Sequence, residues 1–595
     1  MPGLALQIGV DTGGTFTDLV AADGRVAKVL STPDDPARAI REAIGDQGRP
    51  ALLAHGTTIA TNALLERRGA TVALVTTQGL ADVIEIGRQD RPSLYDQLAS
   101  RPEPLVPRHL RYEVAGRVAA DGTELSPIEP GGPPPIDSAA EVVAVCLLHA
   151  DIEPAHERAV AAALRARGHD VSCSHEVSPE MREVERTVTT VINASLRPRC
   201  RSYLRSIDRF GDDVLVMTSA GGLVPAVEAA ELPAALLLSG PAGGVRAAAA
   251  VGLACGYADA VSFDMGGTST DVCLVRGGVP EPAPSRIVAG YPVRLPALDI
   301  HTIGAGGGSI ARLDAGGALV VGPESAGAVP GPACSGRGGE KPTMTDADLV
   351  LARIPAEAAF PGLGRLDVAE ARRALDRERV TADGIVAVVD AAMERAVRVV
   401  TVERGVDARD LALVAFGGAG PLHACAIAGA LDMRAVIVPP RAGVLSAVGL
   451  VCSPRQRELV RSWPEPLEHT KIEAALDRVA DDAVALVGGG DVEVERLMDC
   501  RYAGQSHELT VPNPDAFPAE HERRNGFARP GAPVEVVALR VRARRPAPLS
   551  PADLPPVARP EVRGPEVVAE PDCTVWVPDG WRAEPGPLGA WVLTR

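Results

Sequence analysis

The sequence predicts a two-lobed α/β protein with a smaller α+β domain at its C-terminal end. Three observations lead there. An eight-residue motif occurs twice, each copy between an incoming and an outgoing apolar run. Short strand-like runs alternate with helical periodicities along the chain. A third glycine-rich turn joins a strand to a helix in the second half.

The elements follow in order. Leu4–Val10 alternates and predicts a strand, followed by Phe16–Ala21 and Arg25–Ser31, the last two joined at a hairpin signal, Asp23-Gly24. Val72–Thr76, Val142–Leu148, Val214–Met217, Ala260–Phe263, Leu411–Ala415 and Ala435–Val438 read as short buried strands. Pro154–Arg167, Pro179–Leu196, Gly243–Ala254 and Asp383–Arg404 repeat apolar residues at three and four, as helices do. Pro127–Pro135 holds five prolines and reads as a linker; further breaks fall at Ser453–Pro466 and Pro546–Pro565. The expected domains are 1–175, 176–452 and 453–595.

The repeat carries the chemistry. Asp11-Thr-Gly-Gly-Thr-Phe-Thr-Asp18 recurs as Asp264-Met-Gly-Gly-Thr-Ser-Thr-Asp271, with six of eight positions identical. A strand turns on Gly-Gly and returns as a strand, unlike the dinucleotide fingerprint, which opens a helix. Paired glycines expose backbone N–H groups at close range, and such an array binds phosphate oxygens. Thr12, Gly13, Gly14 and Thr15 form one cradle, and Gly266, Gly267 and Thr268 the other. Asp11 and Asp264 end their incoming strands, where a carboxylate can hold a hydrated Mg²⁺. Two copies imply two lobes gripping one polyphosphate. The turn Gly417-Gly418-Ala419-Gly420, between a strand and the helix Ala424–Ala430, can cradle a nucleoside.

Composition excludes several classes. The chain has 595 residues, 46% of them apolar, and a formal charge of −17. A basic face for nucleic acid is not expected, and no apolar run is long enough for a transmembrane helix. Lysine occurs only at 28, 341 and 471, so a phosphate site must rely on backbone, hydroxyls, arginine or metal. The ten cysteines lack Cys-x-x-Cys spacing, and the start lacks a signal-peptide pattern, so a cytoplasmic location is expected.

The chain resembles the hydantoinase A / 5-oxoprolinase family over nearly its whole length. The resemblance rests on Gly9–Asp18, His55–Leu65, Glu85–Asp96, Ser239–Gly244, Phe263–Asp271, Asp299–Ile310, Gly331–Gly339, Thr343–Leu349, Phe416–Ala424 and Arg501–Leu509. It differs at Ser335, where the family usually has Tyr, and is compressed after Leu450. The resemblance implies the two-lobed actin, sugar-kinase and Hsp70 type of ATPase fold. It also implies ATP as a substrate, cyclic amides such as hydantoin, 5-oxoproline or a lactam as targets, and a separate B-type subunit in a hetero-oligomer. Ketone carboxylation is the alternative within enzymes. An ATPase switch that remodels a partner protein is the alternative outside them.

Further residues are candidates for the substrate side. His55 and Thr57 either cap and pack a helix or line the cleft. Asp299 and His301 share one face of an extended strand before the glycine run containing Gly306 and Gly307. That arrangement predicts a fold-back bringing His301 to the second hairpin as a general acid. Arg88 is a candidate partner for a substrate carboxylate.

Overall fold

The computed structural model describes residues 6–32, 35–45, 48–128, 133–357 and 364–595. Residues 4 and 5 of the first expected strand, and 129–132 of the expected proline linker, lie outside the described residues.

The first lobe opens with β1 (Gln7–Thr12), β2 (Phe16–Ala21) and β3 (Val26–Leu30), an antiparallel meander. Strand β4 (Leu52–Thr57) then lies parallel to β1 and leads into α1 (Ile59–Leu65). A side unit follows, a parallel sheet of β5 (Val72–Thr77), β6 (Arg111–Val114), β7 (Val142–Cys146) and β8 (Val171–Cys173). The long helix α2 (Glu183–Asp208) returns the chain to β9 (Asp213–Met217) and β10 (Leu223–Pro225). Helix α2 runs beyond the expected end at Leu196. Its buried Cys200, Tyr203, Leu204 and Ile207 continue the apolar stripe past Pro198.

Helix α3 (Gly240–Ala254) crosses to the second lobe and is built from small residues. There β11 (Ala260–Met265) and β12 (Thr270–Arg276) repeat the β1–β2 hairpin. Edge strands β13 (Val279–Pro280) and β14 (Ile300–Ile303) both pair with β12. Helices α4 (Met344–Val350) and α5 (Ala382–Val400) pack behind them. Strand β15 (Ala412–Phe416) lies parallel to β11, as β4 does to β1, and is followed by α6 (Gly420–Ala430) and β16 (Ala435–Val438).

Helix α7 (Leu445–Val451) crosses back against α3. No side chain separates the two at their closest point. A Cβ on Gly449 would lie 1.8 Å from the Gly243 carbonyl oxygen, and one on Gly243 2.8 Å from that of Ser446. Strand β1 is equally close, since a Cβ on Gly9 would sit 2.2 Å from the Ala447 oxygen.

The region 453–595 divides between the lobes. Strand β17 (Arg455–Ser462), helix α8 (Ile472–Val487), and strands β18 (Glu493–Tyr502), β19 (Leu509–Val511) and β20 (Val534–Arg545) share an apolar cluster. Their strands nevertheless extend the first lobe's sheet. The last strands, β21 (Val562–Arg563), β22 (Arg582–Pro585) and β23 (Trp591–Thr594), extend the second lobe's sheet instead. Among the described residues the first sheet is ten-stranded, ordered β19-β18-β20-β17-β10-β9-β4-β1-β2-β3. The second is nine-stranded, ordered β13-β12-β11-β15-β16-β23-β22-β21, with β14 also on β12. Among the described residues no helix is long and apolar enough to cross a membrane.

Candidate active site

The two hairpins have the same geometry. Asp11 faces Asp18 across β1–β2, and Asp264 faces Asp271 across β11–β12. Gly13 donates to the Phe16 carbonyl at 3.0 Å, and Gly266 to the Ser269 carbonyl at 3.1 Å. These bonds close the two turns. The turns meet across the cleft, because a Cβ on Gly267 would lie 3.4 Å from Thr15 Oγ1. Between them lies a cavity of about 580 Å³, within the range of small-molecule sites. Its walls include Asp11, Gly13, Gly14, Thr15, Asp264, Gly266, Gly267, Thr268, Gly417, Gly418 and Ala419. Sequence positions hundreds of residues apart thus share one chamber.

Carboxylates dominate its electrostatics. Asp11, Asp18, Asp264 and Asp271 all line the cavity, and Lys28 is its one lining cation among the described residues. Lys28 is bonded to Asp18 at 2.8 Å. Burial, then the charge of Asp18, raises the Asp11 carboxyl to about 7. Burial raises Asp271 to about 6 against a hydrogen bond from Thr302 Oγ1 at 2.5 Å. Asp264 is pushed well above the usual carboxylate range by burial, then by Asp271, Asp11 and Asp18. Glycine makes room for both key carboxylates. A Cβ on Gly56 would approach Asp11 Oδ1 to 2.5 Å, and one on Gly417 would approach Asp264 Oδ1 to 2.4 Å. Asp11 Oδ1 is buried with no hydrogen-bond partner among the described residues. A hard, all-oxygen donor set with an orphaned carboxylate oxygen suits a divalent cation such as Mg²⁺.

The remaining candidates fall elsewhere. His301 does not line the cavity. On β14 it pairs with Val272 of β12, so strand alternation turns its neighbour Thr302 towards Asp271 and the cleft. The expected fold-back brings β14 onto the second hairpin, but the residue it turns to the cavity is Thr302, not His301. Asp299 is engaged by Arg404 and also lies outside the cavity. Arg88 makes a bidentate pair with Glu185 at 2.9 and 2.6 Å, away from the chamber, so it is not free for a substrate carboxylate. His55 is fully buried, with Nδ1 3.0 Å from the Val10 carbonyl and Nε2 2.8 Å from the Tyr203 hydroxyl. Burial lowers it to about 4, so it is a neutral core residue at pH 7. Thr57 Oγ1 accepts from the Ile59 amide at 3.2 Å at the start of α1. Thr12 is buried at the end of β1, and Gly420 opens α6; neither is on the cavity wall.

The glycine run after β14 braces the second hairpin. Gly307 N–H donates to the Gly266 carbonyl at 3.0 Å, and Gly308 N–H to the Gly267 carbonyl at 2.6 Å. Gly307 reaches the cavity, whereas Gly306 lies beneath the turn. A Cβ on Gly306 would come within 2.7 Å of the Gly266 oxygen and 2.9 Å of the Thr268 nitrogen. Gly306→Ala is expected to distort the turn and weaken nucleotide binding by roughly tenfold or more, the scale of a lost hydrogen bond to a charged group. Titration calorimetry checks this, and wild-type affinity in the variant would refute the bracing role.

Residues 186–458 match the hydantoinase/oxoprolinase family, and residues 7–168 match the hydantoinase/oxoprolinase N-terminal region. The chain is 36% identical to an uncharacterised protein of Methanocaldococcus jannaschii over 90% of this chain and 87% of that one. It is 34% identical to the caprolactamase subunit alpha of Pseudomonas jessenii, over 90% and 86%. 5-Oxoprolinase 1 of Arabidopsis thaliana is 32% identical over 85% of this chain and 46% of its own length. The crystal structure of the ATP-dependent caprolactamase from Pseudomonas jessenii superposes with a TM-score of 0.83 at 30% identity, covering 99% of each chain. Nucleotide-free acetone carboxylase shares the fold at a TM-score of 0.76 and 24% identity. With both family regions matched and the duplicated hairpins sharing one cavity, the chain belongs to the hydantoinase/oxoprolinase family.

Proposed function

We propose that this chain is the nucleotide-binding A-type subunit of an ATP-dependent cyclic-amide hydrolase, acting on a lactam, hydantoin or 5-oxoproline with a separate B-type subunit. The observation that carries this is the pair of matching hairpins on one cavity, in a chain that aligns with a caprolactamase subunit over almost its full length. An amide carbonyl is a weak electrophile. Transfer of the terminal phosphoryl group of ATP to its oxygen makes the carbon open to water. The ring C–N bond then breaks, and hydrolysis of the acyl phosphate releases phosphate.

The chain's own residues have clear tasks in that scheme. The amides around Gly14, Thr15, Gly267 and Thr268 bind phosphate oxygens from the two lobes. Asp11 and Asp264 would hold Mg²⁺, which supplies positive charge against the phosphates. Thr302 orients Asp271 beside them. His301 and Asp299 stay outside this assignment.

A second reading, ATP-dependent ketone carboxylation, rests on a relative named acetophenone carboxylase gamma subunit, 32% identical over 74% of this chain. Co-expression with a B-type reading frame separates the two. Phosphate release is measured with caprolactam, hydantoin and 5-oxoproline, and then with ketones plus bicarbonate. Ring opening with the cyclic amides and not with the chain alone is expected. Turnover dependent on ketone and bicarbonate selects the second reading. Full substrate-coupled hydrolysis by this chain alone would rule out the need for a partner.

A further inference from the structure

The cavity extends from the hairpins into the second lobe, where its lining changes from carboxylate and glycine to apolar side chains. Pro332, Ile354, Leu366 and Leu422 form this end. One charged group is set among them, Asp348 on α4, which is 1% exposed yet lines the cavity. Its Oδ2 lies 3.3 Å from Nε2 of His423, in the first turn of α6 after the glycine-rich turn. His423 is fully buried, and its Nδ1 is 2.9 Å from Asp390 Oδ1 on α5. Burial opposes a charge on this imidazole, but Asp348 and Asp390 outweigh it and raise His423 to about 9. Asp348 is thereby ion-paired through one oxygen, a contact without hydrogen-bond geometry, since His423 Nε2 has no hydrogen-bond partner among the described residues. Its other oxygen, Oδ1, has no hydrogen-bond partner among the described residues; the Arg353 guanidinium is 3.9 Å away, beyond hydrogen-bonding range.

A buried, unpartnered carboxylate oxygen costs free energy unless a donor meets it. Apolar walls around a single carboxylate, with the Ser335 and Thr345 hydroxyls also on the cavity wall, describe a site for a flat, donor-bearing group. The glycine turn Gly417–Ala419 lines the same cavity as this end and the phosphate hairpins.

We propose that Asp348, held by His423 and Asp390, is the polar anchor for the nucleoside of the bound nucleotide, accepting a hydrogen bond from its exocyclic amine or from a ribose hydroxyl. The inference rests on the reading of the cavity as an ATP site and adds which residue selects the nucleoside. His423 acts through Asp348 and is a positioning residue.

The test is calorimetric binding to the full chain, with Mg²⁺, of ATP, ITP, 2′-deoxy-ATP and 3′-deoxy-ATP. ITP lacks the exocyclic amine, and each deoxynucleotide lacks one hydroxyl, so the panel tells the two donor sources apart. The wild-type protein is expected to bind one of the three analogues at least tenfold more weakly than ATP. Asp348→Ala should lose at least tenfold in ATP affinity and bind ATP and that analogue alike. His423→Gln should reduce the discrimination in part, while Asp348→Asn, which keeps an acceptor, should retain more of it than alanine does. Equal wild-type affinity for all four nucleotides overturns the inference without needing any variant to fold, and leaves the ATP site standing. Unchanged discrimination in a folded Asp348→Ala protein also overturns it. A wild-type protein that binds no nucleotide overturns the ATP reading and this inference together.

Discussion

Asp264→Asn is expected to lower ATP turnover by roughly 10²-fold or more, the scale seen when a group that stabilises reacting charge is removed. The variant should still fold, and without nucleotide it should be at least as stable as the wild type near pH 7. Asp264 is buried among Asp271, Asp11 and Asp18, so its ionised form is opposed by three like charges. Asparagine removes that repulsion along with the cation-binding charge. The same carboxylates predict a pH dependence. Asp11 and Asp271 are raised in the folded protein, to about 7 and about 6, so folding takes up protons between the unfolded value near 3.8 and those values. Stability without ligand therefore falls as pH rises through that window. Urea unfolding at pH 5 and pH 7.5 should show this decline, with a shallower one in Asp264→Asn. Turnover at the wild-type rate in the variant would remove Asp264 from the chemistry. A rise in stability with pH over the same interval would contradict the buried-carboxylate account.

The second large effect is structural. Gly449→Ala is expected to destabilise the protein by about 3 kcal/mol, the upper part of the usual range for overpacking. The new methyl would occupy a point 1.8 Å from the Gly243 carbonyl oxygen, so α3 and α7 must separate. The neighbour is backbone within a helix and cannot rotate aside. Both helices also pack on the strands that end in the phosphate hairpins, so nucleotide affinity should fall with stability. Gly488→Ala offers a comparison, since Gly488 caps α8 at a positive φ with open space around it. It should cost much less, about 1 kcal/mol, through strain alone. A Gly449→Ala melting temperature equal to wild type would show that the crossing is loose.

Much of this was legible in the residues. The two hairpins, their flanking strands and the third glycine turn depend on local order, and local order is what a motif records. The duplicated Asp-x-Gly-Gly-Thr-x-Thr-Asp element places Asp11 and Asp264 at equivalent strand ends, and both line one cavity. The substrate-side candidates fared differently because their positions depend on pairing partners. Asp299 and His301 do share a strand face, but nothing local says that the register of β14 on β12 turns Thr302, not His301, inward. Arg88 has an ordinary arginine's sequence context, and its engagement with Glu185 is a contact between residues 97 apart. Asp348 lies within the Thr343–Leu349 motif, but its significance comes from His423 and Asp390, which lie on two other helices. The expected C-terminal domain rests on proline breaks. Those breaks mark where the chain changes lobe, and strand pairing across them is not written in composition.

That division has a consequence for how the molecule is made. Strand β10 sits inside the first sheet only because β17 pairs with it, and β17 is held in turn by β20. On a ribosome, residues 7–225 emerge long before residues 455–545. Until the later segment arrives, the nascent first lobe presents β10 as an open edge, and β16 of the second lobe waits in the same way for β23. Neither sheet can be finished as its own lobe is synthesised. Such long-range pairing slows folding and leaves strand edges available to neighbours. Production in cells should therefore respond strongly to translation rate, temperature and chaperone supply. Splitting the gene at the lobe boundary should yield insoluble fragments, despite the duplicated architecture that invites such a cut.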